Sequence, residues 1–319
     1  MKVVVIGGGK GQSTLLRGLK NIDGVDLSAI VTVADDGGST GRLREDFDMP
    51  AMGDVRNVIL ALAESESMLS EMMEFRFNEN SRSELAGHSL GNLILTALTE
   101  TTGDFIDAIS SMSKILNVEG DVIPASPDNL TLVARMKDGT IVRGESNIPQ
   151  YKNSIKNVYY DQFVEASEQA VKAIESADLI VFGIGSIYTS ILPNIIIPGI
   201  KEALNTTSAK LVYYCNVMTQ AGETDGFTVS DHIDAIERHA ELKLDAIVLA
   251  NDIIPRDILK VYEEEGSYPV RLRTKLNNYK LVRQSLLSFD ETVIRHDPKK
   301  VEEGFYEVLE AVKCPLVVK

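Results

Sequence analysis

The sequence predicts a mostly parallel, doubly wound α/β sheet that carries an inserted helical and β-hairpin segment. Three observations predict it. The chain opens as strand, glycine-rich turn, helix, strand. Short β-branched runs then alternate with helical patterns through the C-terminal half. Nearly every apolar run ends in glycines, hydroxyls, amides or acids, the chemistry expected where an open α/β sheet binds a ligand.

The elements follow in order. "VVVI" (3–6) lacks polar alternation, as a strand buried on both faces should. Ser13 to Leu19 reads as helix and "LSAIVTVA" (27–34) as a second buried strand, which completes a βαβ unit. Residues 54–75 and 89–116 read as long helices. "TLVARMKDGTIVRGES" (131–146) reads as a hairpin turned by Asp138-Gly139. A single domain over 1–319 with an insertion at 54–150 is therefore expected. "ADLIVFGIGS" (177–186), "AKLVYYCNVMT" (209–219) and "LDAIVLAND" (244–252) are further strands. Helical patterns fill 162–176, 193–204, 228–241 and 255–265, and 266–300 shows no clean period.

Bulk properties narrow the function classes. The 319 residues are 44% hydrophobic and 25% charged, which suits a globular core. With 32 basic and 47 acidic side chains the net charge is −15, which argues against nucleic acid or a membrane as the main partner. Cys215 and Cys314 are the two cysteines, with no CxxC, so neither a disulfide framework nor a zinc ribbon is expected. Met1-Lys2 runs straight into "VVVIGGG" without the apolar length of a signal peptide, and no window nears ~18 apolar residues. A soluble, cytoplasmic protein is the expectation.

The candidate site residues follow the strands. In "GGGKGQST" (7–14), Gly8, Gly9 and Gly11 let an anion approach backbone N–H groups at a helix start, and Lys10 adds a charge. A tight strand–helix turn is the competing reading. The spacing fits neither a P-loop nor G-x-G-x-x-G, because Gln12 stands where the third glycine would be. Asp35 and Asp36 close the second strand. Acids there can grip ribose hydroxyls, form a turn, or serve as Mg²⁺ ligands beside phosphate oxygens. "GGSTGRLR" adds Gly38, hydroxyls on Ser39 and Thr40, and guanidinium forks on Arg42 and Arg44. One arginine can pair with Glu45 or Asp46, so Arg42 is the candidate. "MGDVRN" offers Asp54, which can also be a helix cap, with Arg56 and Asn57 one turn on. "GHSLGN" offers His88 as donor or proton shuttle, with Ser89 and Asn92. "GIGS" brings Gly185 and Ser186, and "CNVMTQAGET" brings Asn216, Thr219, Gln220 and Glu223. The other histidines, His232, His239 and His296, lack metal-ligand spacing, and no nucleophilic triad can be assembled.

Laid out together, the segments "GGGKG", "VTVADDGGSTGRLR", "GDVRN", "GHSLGNLIL", "DGTIVRGES", "GSIYTSILPN", "CNVMTQAGET" and "VIRHD" resemble the gluconeogenesis factor family, the YvcK-like proteins. That family shares a superfamily with 2-phospho-L-lactate transferase, the CofD-like proteins. The resemblance implies a Rossmann-like fold and a cytoplasmic protein needed for cell shape and growth on gluconeogenic carbon. It implies UDP-sugar binding, UDP-N-acetylglucosamine in particular, and a protein partner in cell-wall or carbon regulation. A homodimer follows from the same analogy. Tyr262 and Arg295 match positions the family uses for the nucleotide sugar, a tyrosine face against uracil and an arginine fork on diphosphate. In the transferase relatives Mg²⁺ assists group transfer, which by analogy points to Asp35 and Asp36. The sequence departs from its relatives at Ile184 and Ala221, where proline is common. Pro298 stands where some relatives carry a phosphorylatable threonine, so that regulation is not expected here.

Three functions are compatible with these residues. A UDP-sugar-binding regulator needs affinity and a conformational output. A transferase of a phospholactyl-type group needs Mg²⁺ and a positioned acceptor more than a base. A nicotinamide-dependent oxidoreductase is disfavoured by the broken glycine fingerprint.

Overall fold

The computed structural model describes residues 1–64, 68–290 and 292–316. Its centre is a seven-stranded parallel sheet. Twelve strands are described: β1 (Lys2–Gly7), β2 (Asp26–Val31), β3 (Asp121–Pro124), β4 (Val133–Met136), β5 (Ile141–Arg143), β6 (Ile155–Tyr159), β7 (Leu179–Phe182), β8 (Lys210–Tyr214), β9 (Ala246–Ala250), β10 (Lys280–Gln284), β11 (Leu287–Asp290) and β12 (Val293–His296). The main sheet runs β10-β9-β8-β7-β1-β2-β3. In β1 every residue after Lys2 is buried, because helices cover both faces of the sheet.

Chain order reverses beside β1. From β1 the chain moves to β2 on one side, and from β7 it moves to β8 on the other. Right-handed crossovers then place the two sets of helices on opposite faces. The crevice between the carboxyl ends of β1 and β7 is the switch point, where such sheets bind ligands.

The helices are α1 (Gly9–Leu19), α2 (Gly38–Phe47), α3 (Gly53–Leu62), α4 (Met68–Glu74), α5 (Leu90–Thr102), α6 (Phe105–Ile115), α7 (Glu168–Glu175), α8 (Leu192–Ile195), α9 (Pro198–Thr206), α10 (Val229–Ala240), α11 (Arg256–Glu264) and α12 (Pro298–Val312). Helix α1 packs on α3 and α12, and α7 packs on α9. Leu15, Leu16, Ile30, Phe182, Tyr213 and Phe305 are fully buried around the sheet.

Several elements differ from the sequence expectations. The pattern at 54–75 resolves into α3 and α4, and 65–67 within it lie outside the described residues. The pattern at 89–116 breaks where Gly103 adopts a left-handed φ of 75° and Asp104 caps α6 by accepting from the Asp107 N–H at 2.9 Å. Pro198 starts α9 afresh after α8. Helix α7 is shorter than 162–176 suggested. The hairpin at 131–146 forms as expected, and β6 pairs with β4 as its third strand. The stretch 54–150 is not separate from the sheet. It supplies β3, the edge strand, and α3, which packs against α1. In 266–300, β10 forms the opposite sheet edge and β11–β12 a small antiparallel pair.

Candidate functional site

The glycine loop sits at the switch point. A Cβ on Gly8 would lie 2.5 Å from Thr32 Cγ2 and 2.6 Å from Asp54 Oδ2. A Cβ on Gly11 would lie 1.3 Å from the Ile184 carbonyl oxygen. The first turn of α1 is thus pressed against the loops after β2 and β7. Gln12 explains the missing third glycine. Its Nε2 donates to the Val5 carbonyl at 3.0 Å and the Ile30 carbonyl at 2.9 Å, tying β1 to β2 from a fully buried position. Lys10 is exposed at the same turn.

"GGSTGRLR" is helix rather than loop, since α2 begins at Gly38. Asp35 Oδ1 accepts from the Gly37 N–H at 2.9 Å, and burial raises the pKa of this carboxyl. Asp36 Oδ1 accepts from the Ser146 N–H at 2.9 Å, which binds the hairpin segment to the strand end. Arg44 pairs with neither Glu45 nor Asp46. It is 5% exposed and donates to Asn129, to the Asp35 carbonyl at 2.7 Å and to the Leu130 carbonyl. Arg42 is exposed and donates to the Ala86 carbonyl at 2.8 Å.

A polar network joins α2, α3 and α5. Arg56 donates to Ser89 Oγ, to Asn92 Oδ1 at 2.7 Å and to Asn57 Oδ1 at 2.7 Å. Asn92 Nδ2 donates to Ser39 Oγ at 3.2 Å, and Ser39 Oγ lies 3.1 Å from His88 Nδ1. Desolvation lowers the His88 pKa, helped by nearby Arg42, which favours the neutral ring. Ser39, Asn57, His88, Ser89 and Asn92 therefore come together around Arg56. Their contacts are largely with one another.

The loop after β7 completes the crevice. Ser186 caps a π-helical turn over Ile187–Ile191 and donates its hydroxyl to Glu223. Thr189 Oγ1 donates to the same carboxylate at 3.4 Å. Asn216 Nδ2 donates to the Gly185 carbonyl at 2.8 Å, so the β8 loop fixes the β7 loop. Thr219 holds the later segment, donating its N–H to the Tyr268 carbonyl at 2.7 Å and accepting from the Tyr268 N–H at 2.8 Å.

An acidic cluster emerges that spacing alone did not reveal. Asp54 keeps partial solvent access, yet desolvation and the neighbouring Asp35 raise its pKa to about 7. Glu145, next to the hairpin, is raised to about 8 by desolvation and by Asp35. Glu223 is raised to about 7, chiefly by burial. Glu145 stood in a family-like segment without a role, because its neighbours come from distant strand ends. No group of three or more His, Cys, Asp or Glu arranged to hold a metal is found among the described residues.

Tyr262 and Arg295 lie together beyond the switch point. The half-buried Tyr262 hydroxyl accepts from the Ile294 N–H at 3.0 Å, and exposed Arg295 follows on β12. No helix of the described residues is long and apolar enough to cross a membrane.

The fold and the convergence of strand-end loops define a Rossmann-like α/β protein with its candidate site at the sheet's switch point. The profile of the 2-phospho-L-lactate transferase CofD family matches residues 3–287. The chain is 44% identical to the gluconeogenesis factor of Bacillus subtilis, over 97% of this chain and 98% of the relative. It is 47% identical to that of Halalkalibacterium halodurans, over 96% and 95%. A crystal structure of a UPF0052 family member from Bacillus halodurans superimposes with a TM-score of 0.90 at 46% identity, covering 95% of this chain and 97% of that one. The chain belongs to the gluconeogenesis factor branch of the CofD family.

Proposed function

We propose that this protein is a regulatory binder of a UDP-sugar, UDP-N-acetylglucosamine in particular, acting as a gluconeogenesis factor in cell shape and growth on gluconeogenic carbon. The observation that carries this reading is the meeting of the glycine loop, the Asp35–Gly37 turn at the start of α2 and the Ser186–Glu223 pair at one switch point. Bare glycine backbone suits close approach of a ligand, and amides, hydroxyls and protonated carboxyls suit a sugar. The ordered network of Arg56, Ser89, Asn92 and Ser39 supports the site from behind without exposing an obvious nucleophile.

Mg²⁺ fits the acids present. Asp35 is desolvated beside other carboxylates, and Asp36 keeps one oxygen clear of its bond to Ser146. A divalent cation held by this pair would offset their mutual repulsion and supply positive charge to ligand oxygens. Without a cation, burial and the neighbouring Asp35 favour the protonated forms of Asp54 and Glu145, which can then donate to ligand oxygens.

Calorimetric titration with UDP-N-acetylglucosamine and Mg²⁺, followed by chromatography of the recovered ligand, tests the reading. Micromolar binding, about −8 kcal/mol, with intact ligand is expected. Tyr262→Ala and Arg295→Ala should each weaken it. Conversion of the ligand would move the assignment to a transferase of the kind named by the family. No binding at any temperature would end the nucleotide-sugar reading.

A further inference from the structure

Positive charge at the strand ends is unevenly available. Arg44 and Arg56 are buried and bonded to protein oxygens, and Arg42 donates to a backbone carbonyl. Arg271 and Arg273 are exposed, and neither guanidinium has a hydrogen-bond or ion-pair partner among the described residues. Both line one cavity of about 220 Å³, with Thr219, Phe227, Thr228 and Tyr268 in its wall. Glu263 is the single acid there, so the lining is net positive in a chain of net charge −15.

The segment bearing the arginines is pinned by its backbone. Val270 N–H donates to the Val217 carbonyl at 2.8 Å, and Val229 N–H to the Arg271 carbonyl at 3.2 Å. Thr219 grips Tyr268 from the same loop. The frame is fixed while the two forks remain available. Two residues apart, they line the same cavity. The cavity is smaller than the roughly 300–1,000 Å³ that takes a whole drug-sized ligand, so it suits one anionic part of a larger molecule.

We propose that Arg271 and Arg273 form an anion subsite that holds the diphosphate of the nucleotide sugar. The neutral and acidic crevice at the switch point then faces the sugar hydroxyls rather than the phosphates. The subsite rests on the reading above for the identity of the nucleotide sugar, but not for its affinity toward diphosphate.

The test is titration of the whole protein with inorganic pyrophosphate and, separately, with UDP-N-acetylglucosamine. Wild type is compared with the Arg271→Gln/Arg273→Gln double variant and with Arg271→Lys/Arg273→Lys, each checked for fold by circular dichroism. Pyrophosphate should bind wild type, and the glutamine variant should weaken it at least about tenfold, as loss of charge-assisted forks requires. The lysine variant should fall between. UDP-N-acetylglucosamine should weaken in parallel. Pyrophosphate binding that depends on the arginines, without nucleotide-sugar binding, upholds the subsite and overturns the UDP-sugar reading. Full nucleotide-sugar affinity in the double glutamine variant, or no pyrophosphate binding to wild type, overturns the subsite.

Discussion

Glu223 is 5% exposed, and its pKa is raised to about 7 from an ordinary 4.5. It binds its proton more tightly folded than unfolded, as do Asp54 and Glu145. Between about pH 4.5 and 7 the folded chain therefore holds more of these protons than the unfolded chain, and their contribution to stability falls as pH rises. His88, His232, His239 and His296 are shifted downward by burial and act in the opposite sense below about pH 6.5. The difference between wild type and Glu223→Gln separates the two. The melting temperature of the variant should gain on wild type as pH rises from 5 to 8, and a constant difference would exclude a desolvated carboxylate there. Arg44 acts through pairing instead. Arg44→Ala leaves Asn129 and three carbonyls short of a donor and should cost roughly 3 kcal/mol in urea denaturation. An unchanged midpoint would contradict its role.

At the scale of elements, the site depends on how closely α1 approaches the loop after β7. Gly11→Ala places a methyl inside the Ile184 carbonyl. Overpacking of this kind costs about 1–3 kcal/mol or more, and the denaturation midpoint should fall accordingly. Nucleotide-sugar affinity should fall with it, because the glycine loop moves. Much of this is legible in the sequence: "VVVIGGG" gives the strand and glycine turn, Ser13 to Leu19 gives the helix, although α1 begins earlier at Gly9, and Asp138-Gly139 gives the hairpin. The starts of α2 and β3 are not. "GGSTGRLR" reads as loop because glycines disfavour helix locally, whereas in the fold Ser39, Thr40, Gly41, Leu43 and Arg44 of this helix are buried. "DVIP" is too short and too near the preceding helix to stand out as a sheet edge.

For the whole molecule, the crevice is built from both sides of the topological switch: β1 and β2 on one, β7 and β8 on the other. A ligand spanning it should tie the two sides together. At a hundred times its dissociation constant, UDP-N-acetylglucosamine should add about 2.7 kcal/mol and raise the melting temperature. The gain should be greater with Mg²⁺ than with chelator. An unchanged melting temperature at saturating ligand would mean that the folded state does not bind it.

By itself the sequence determined the opening βαβ unit, the hairpin, the strands that became β7, β8 and β9, the acidic net charge and the polar loops at the strand ends. Each of these is local, written in hydrophobic period, turn residues or composition. Only the tertiary structure decided that Gln12 bridges two strands, that Arg44 and Arg56 serve the scaffold, and that Asp35, Asp54, Glu145 and Glu223 share one desolvated region. The reason is physical. Desolvation and pairing depend on which distant segments meet, and parallel strands bring together residues more than a hundred positions apart whose spacing along the chain carries no trace of the contact.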